Sequence, residues 1–386
     1  MFLAITTLLP AIAIVGILAS PLWCVTIGRD MDQYLARKKL LIFSLASFVM
    51  SACVSGALYG FAAMSIMDKE VWHFKIFTIR HEEEWTTHET RTETYTTGSG
   101  KHQTTHTKTV HYTENHGPYW TAIDERSSEH RIDSSEYDKW SKVWGNQLQT
   151  GVHKGSSAGW DRSITGKIFE CKWTRDFERI YPWDEIHHYK NKVRHCSSVL
   201  KYREPTKELE KLYPRPAESG DCSPVLCYGA SLGAADIQRL RQVNAELGPK
   251  YLVHTLLVLF GKDADRSKID DILSAWRSVN KNELVTFLAL DGGSTVRWCE
   301  VQSWMDDTTI HATLRDALVA EPFTARRYSD LLMQYVPKQW KKKNFHDFDY
   351  LRVEIPIGWK VIAILVVIGG LVGIFVVVDQ KVTLSW

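Results

Sequence analysis

The chain has 386 residues, with 47 Lys plus Arg against 45 Asp plus Glu and a formal net charge of +2. That balance excludes a strongly basic nucleic-acid binder and an acidic tail protein. Hydrophobic residues at 44% and charged residues at 24% exclude a disordered chain.

The apolar residues concentrate at the two ends and leave a polar middle. Residues 1–28, 40–67 and 361–378 contain no Asp, Glu, Lys or Arg. A helix needs about 20 apolar residues to cross about 30 Å of hydrocarbon, so all three predict transmembrane helices. The first lacks the basic start of a cleaved signal peptide, its first basic residue being Arg29. The short connection 29–39 carries Arg37, Lys38 and Lys39 beside Arg29. Short basic loops stay in the cytoplasm, which predicts export of residues 68–354. Small residues four apart, Ala52, Gly56 and Gly60 in one row and Gly369 and Gly373 in another, predict close helix packing within or between chains.

An exported domain permits disulfides. Cys171 with Cys196, and Cys222 with Cys227 across Ser223-Pro224, are the pairs expected, leaving Cys299 buried and free. The absence of any Asn-x-Ser/Thr acceptor fits a bacterial or viral membrane.

Residues 71–79 are aromatic and branched, as strands are. Two Thr/His-rich stretches then flank Gly98-Ser99-Gly100-Lys101, which predicts a long hairpin, polar on both faces, that projects or pairs with a neighbouring subunit. His81, His88, His102, His106, His111 and His116 fall here, but strand alternation gathers no metal-binding group from them. Residues 118–215 hold Trp120, Trp140, Trp144, Trp160, Trp173 and Trp183, read as aromatic anchors of a β-rich body rather than a stacking surface for sugars.

From residue 230 the rhythm changes. Helices are expected at Asp236–Leu247 (stopped by Gly248-Pro249), Lys268–Ser278, Thr309–Val319 and Arg326–Val336. Strands are expected at Leu252–Phe260, Leu284–Leu290 and Thr295–Val301. Alternation of this kind predicts an α/β layer.

This order resembles the TPM domain, carried by Tyr251–Phe260, the helix ending in Trp276, Leu284–Leu290 and the hairpin from Asp291-Gly292-Gly293 to Trp298. The resemblance implies a small exported α/β module tethered by a membrane helix. Some members are metal-dependent phosphatases and others serve in assembly. The Asn280-Lys281-Asn282 stretch and residues 345–351 are similar to uncharacterised membrane proteins of tailed bacteriophages.

Phosphate loops, nucleophile elbows and His-Glu-x-x-His helices are missing from the sequence. The candidates for metal-assisted hydrolysis are Asp263 and Asp291 as catalytic groups, with Asp265, Asp306 and Asp307 as cation ligands. Lys341, Lys342 and Lys343 read as a solvated or lipid-headgroup contact. The expected fold class is an α+β membrane protein. It has two N-terminal transmembrane helices (1–67), a β-hairpin and aromatic-rich β region (68–229), a TPM-like α/β domain (230–354) and a C-terminal transmembrane helix (355–386). The expected function is a non-enzymatic scaffold or envelope-remodelling protein. It would sit in a bacterial inner membrane with a periplasmic domain, and would partner the bilayer and further copies of itself but no nucleic acid or cofactor. A TPM-like phosphatase and a pore or transporter subunit are the alternatives.

Overall fold

The structure, a computed structural model, describes residues 66–98, 103–153, 164–193 and 205–351, with residue 100 and scattered positions within 45–64 and 362–373. It is an α+β fold built mostly of sheet.

The first sheet is organised by β1 (Met67–Glu82), whose 16 residues are rich in aromatic and branched side chains. Its first half pairs antiparallel with β8 (Tyr181–Lys190). Its second half pairs with β4 (Tyr119–Asp124) and β7 (Gly166–Lys172), across a register shift between Ile76 and Thr78. The short β5 (Glu129–Arg131) and β6 (Leu148–His153) complete six strands. Helix α1 (Ser134–Trp144) covers this sheet. The Asp133 carboxylate accepts from the Glu136 amide at its start, and Gly145 ends it at φ 69°, where a glycine is the natural residue. Tyr137, Trp140 and Trp144 recur on one helical face and meet Ile76, Ile79, Ala122 and Cys171. Trp140 stacks on Tyr181 at 4.5 Å. Large aromatics thus do the filling in a layer poor in aliphatic residues.

Strands β2 (Trp85–Thr97) and β3 (Thr104–His116) form a separate two-stranded ribbon of thirteen directly opposed pairs. Its foot is held where Trp85 stacks on His153 at 4.0 Å and Thr86 Oγ1 accepts from the Ile164 amide. Beyond that foot nearly every described side chain is exposed. At about 3.4 Å per residue the arm reaches roughly 40 Å.

The second sheet has the order β12-β11-β10-β9. β9 (Val225–Tyr228), β10 (His254–Phe260) and β11 (Glu283–Leu290) are parallel, and β12 (Val296–Gln302) returns antiparallel. Between and after them run α4 (Ala234–Tyr251), α5 (Lys268–Trp276), α6 (Thr309–Ala320) and α7 (Ala325–Gln339). The short α2 (Lys207–Leu212) and α3 (Pro216–Ser219) precede them. Period-two alternation explains how β10 and β11 are buried on both faces. Leu257, Leu259, Leu284 and Leu288 join α4, α6 and α7 in one core. Leu256, Val258, Phe260, Val285 and Phe287 join α5 in the other.

The longest helix with described bounds, α4, has 18 residues and carries Asp236, Arg239, Arg241, Glu246 and Lys250. Charges of that number cannot be buried in hydrocarbon. No helix among the described residues is long and apolar enough to cross a membrane. The segment read as a second span also ends differently, because Met67 already belongs to β1. The reading of a three-helix protein integral to a bacterial inner membrane, with a periplasmic domain, gives way to the α+β fold just described. Most of segments 1–28, 40–67 and 361–378 lies outside the described residues.

The disulfides are corrected too. Cys171, Cys222 and Cys227 are free thiols, and Cys196 lies outside the described residues. Cys171 sits on β7 inside the first core, 3.9 Å from the Tyr137 hydroxyl. Ser223-Pro224 does not fold Cys227 back on Cys222. The Pro224 carbonyl instead accepts from the Leu257 amide and launches β9 along β10. Cys299 is buried and free, and burial pushes its thiol up to about 12.

Candidate functional site

The two sheets meet along a polar seam, and strand register determines which groups face it. On β1, His73 and Lys75 point toward α4, while Trp72 and Phe74 point to the opposite face, as alternation requires. Lys75 Nζ lies 2.9 Å from Glu246 of α4. His73 is paired in register with Asp184 of β8. Its Nδ1 lies 2.7 Å from Asp184 Oδ1, and its Nε2 lies 2.7 Å from Nδ1 of His254, the first residue of β10. Both histidines are buried, the Asp184 side chain is 7% exposed, and this Asp–His–His chain crosses from one sheet to the other. A carboxylate can only accept, so His73 donates through Nδ1, and its Nε2 takes the Nδ1 proton of a neutral His254. Burial and the neighbouring His73 push His254 down to about 3. Burial alone would raise Asp184, but the hydrogen bond from His73 and the neighbouring Arg241 guanidinium hold it below the usual carboxylate range.

Gly248 makes this contact possible. A Cβ there would stand 2.7 Å from the Cβ of His73, closer than packed carbons approach. Its role is close packing and not helix termination. Helix α4 runs on through Pro249 to Tyr251 and ends at Leu252, whose amide donates to the Gly248 carbonyl.

Beside the relay is a cavity of about 330 Å³, lined by Trp72, Phe74, Glu125, Arg126, Lys250 and Asn282 among others. Asn282 is 1% exposed and spends Nδ2 on the Val71 carbonyl. Among the described residues, its Oδ1 and Glu125 Oε1 are buried without a hydrogen-bond partner. Burial pushes the Glu125 carboxyl up.

On the other face of β1, Arg126 lies over the Phe74 ring at 3.4 Å. Its Nη2 is 2.8 Å from Asp124 Oδ2 and 3.2 Å from Glu185 Oε2. His130 joins them, with Nε2 at 3.2 Å from Asp124, and His187 Nε2 lies 3.1 Å from Glu185. Asp124, His130 and Glu185 bring donor atoms within 4.8 Å of one another, a spacing that suits a divalent cation. In this arrangement the Arg126 guanidinium supplies the positive charge. Burial would raise Asp124, but hydrogen bonds from Arg126, Ser128 and His130 hold it low. Replacing Arg126 with Ala is expected to open the cluster to Zn²⁺. Excess Zn²⁺ should then stabilise the variant by about 2–3 kcal/mol at a hundredfold over Kd, while wild type stays unmoved in the same thermal melts.

The sequence candidates do not converge among the described residues. Asp291 Oδ1 accepts from the Gly293 amide, as turn chemistry. Asp265 does the same for Ser267 and Asp307 for Thr309. Asp306 pairs with Lys343 at 2.7 Å, and Asp263 is exposed beyond β10. Asp265, Asp291, Asp306 and Asp307 are spent locally, and among the described residues these five carboxylates form no shared cation site. Lys342 is no headgroup contact, since it reaches inward to 3.8 Å from Glu70 and over Trp72. Of the packing candidates, Ala52 lies outside the described residues, and Gly56, Gly60, Gly369 and Gly373 meet no described atom within 4 Å of a Cβ position. The candidate histidines are dispersed: His81 of β1 stacks on Trp120, and in the arm His116 stacks on Trp85 and His106 on Tyr95.

Sequence reasoning missed Asp124, His130 and Glu185. They come from β4, β5 and β8, and no spacing links them. The one available signal was the His187–Asp184 neighbourhood on a strand dense in charge.

No family model matches this chain. No curated protein is similar to it either.

Proposed function

We propose that the protein is a non-enzymatic scaffold that assembles with copies of itself through the β2–β3 arm. The observation that supports this reading is the arm itself. A lone two-stranded ribbon is marginal in water, and this one carries thirteen pairs with most side chains exposed. Within the described residues neither outer edge pairs with another strand. Unpaired edges of this length are templates for a further strand. The alternating Thr rows keep the ribbon wettable until one arrives, and the contacts of Trp85 with His153 and of Thr86 with Ile164 hold its foot on the body.

Excision tests this. Thr87 and Glu114 are directly opposed, so residues 88–113 can be replaced by Asn-Gly, which closes a two-residue hairpin. Sedimentation velocity is expected to show oligomers for the full chain and monomers for the excised one, with equal thermal stability of the body. Oligomers that persist after excision would overturn the reading.

A further inference from the structure

We infer that the arm pairs with a second copy along the outer edge of β3, antiparallel, about a two-fold axis through His111. This rests on the scaffold reading and adds the edge and the register. The only Lys, Arg, Asp or Glu residues of β3 are Lys108 and Glu114, of opposite sign and symmetric about His111. A two-fold there sets Lys108 opposite Glu114 of the second copy, and Glu114 opposite its Lys108. The same operation sets Val110 opposite Tyr112, again twice. Side chains of even number share one face of the strand. That face then presents an apolar centre of two Val110–Tyr112 pairs with an ion pair at each end. The other face presents Thr109 opposite Thr113, Thr107 opposite Asn115, and His111 meeting its own copy.

The available groups fit this arrangement. Lys108 and Glu114 are exposed, and Tyr112 is 46% exposed. Within its own arm Lys108 stands opposite Glu93, and Glu114 opposite the uncharged Thr87. A four-stranded sheet would carry a row reading Glu93, Lys108, Glu114 and Thr87, with signs that alternate. A two-fold moved one residue either way sets Lys108 against Tyr112 or His116 and leaves Glu114 without its lysine. Direct cross-strand pairs of opposite charge stabilise a sheet, and like pairs destabilise it. This is how one register is specified in a strand otherwise too polar to choose one.

The test uses the full chain and three variants. Glu114→Lys leaves the Glu93–Lys108 register inside the arm and the Tyr112–Glu93 hydrogen bond untouched and is expected to weaken self-association about tenfold, since two attractive pairs become repulsive. Lys108→Glu is expected to do the same. An equimolar mixture of the two single variants is expected to recover association, because one brings only acids and the other only lysines to the shared edge. The recovered species should be mixed dimers by native mass spectrometry. Three results would overturn the register: an unaffected Glu114→Lys, a mixture without recovery, or loss of association on Arg91→Glu alone, which would move the contact to β2. In each case, if excision of the arm still abolished assembly, the scaffold reading would stand. If excision left assembly intact, that reading would fail as well.

Discussion

Replacing Arg215 with Met is expected to lower the stability of the folded chain by about 3–5 kcal/mol, the usual consequence of stripping one partner from a buried ion pair. Arg215 lies just before α3, its side chain 2% exposed. Its Nη1 is 3.4 Å from Asp68 Oδ1, and its Nη2 is 3.9 Å from Glu283 Oε2. Asp68 opens β1 and Glu283 opens β11, so one guanidinium ties both sheets together. The carboxylates are otherwise well held. Asp68 Oδ2 accepts from Asn191 Nδ2 at 2.7 Å and from the Tyr189 hydroxyl at 3.1 Å. Glu283 accepts from the amide and side chain of Asn280, both at 2.7 Å. Burial would lower Arg215, but Asp68 and Glu283 more than offset this and raise it. Methionine keeps the bulk and removes the guanidinium charge, leaving two buried anions without the cation between them. Urea unfolding is expected to show a lower midpoint at unchanged slope. Adding Asp68→Asn, which removes one of the stranded charges, should recover part of the loss. A loss under about 1 kcal/mol would mean the network behaves as an exposed, screened pair, and the tie between the two sheets would be in doubt.

Acid is expected to weaken the protein from pH 6.5 downward, and His254 to carry much of the upper part of that slope. His254 is held at about 3 in the folded chain against 6.5 when unfolded. Between those values the unfolded state binds more protons, so stability rises with pH across the window. The contribution is complete above 6.5 and lost as pH falls toward 3. Asp184, Asp124, Glu185 and Glu246 are also held low, after burial that would raise each is outweighed by Arg, Lys and His partners. Their sign is the same, but their window begins only near the ordinary carboxylate range. The variant His254→Leu separates the two. It is expected to be less stable at pH 7, because His73 Nε2 loses its partner, yet to show a flatter dependence of the urea midpoint between pH 6.5 and 4.5. Parallel profiles would contradict a neutral, buried His254.

The parts of this fold that were legible in the sequence are those set by local periodicity. Leu252–Phe260 and Leu284–Leu290 are apolar runs of strand length, and β10 and β11 occupy His254–Phe260 and Glu283–Leu290. The Gly98 to Gly100 turn between Thr-rich flanks lies where β2 gives way to β3, and Gly98 has φ 105°. Misreadings arose where tertiary contact overrides a local signal. Gly248-Pro249 looks like a stop, yet glycine is there for His73, and proline costs α4 a single amide bond in its last turn. Cys222 and Cys227 look like a pair bracketing a turn, yet Pro224 feeds a four-residue strand too short to show alternation. The seam was invisible for a different reason. His73, Asp184 and His254 are 111 and 181 residues apart along the chain. Only the β1–β8 register and the packing of α4 bring them together.

The claim that matters most is that the arm finds its own copy through the edge of β3. Backbone hydrogen exchange measured over a hundredfold range of protein concentration tests it most directly. Amides on the outer edge between Thr104 and His116 are expected to slow as concentration rises, while those of β10 and β11 stay constant. Exchange in β3 that is the same at every concentration would contradict it.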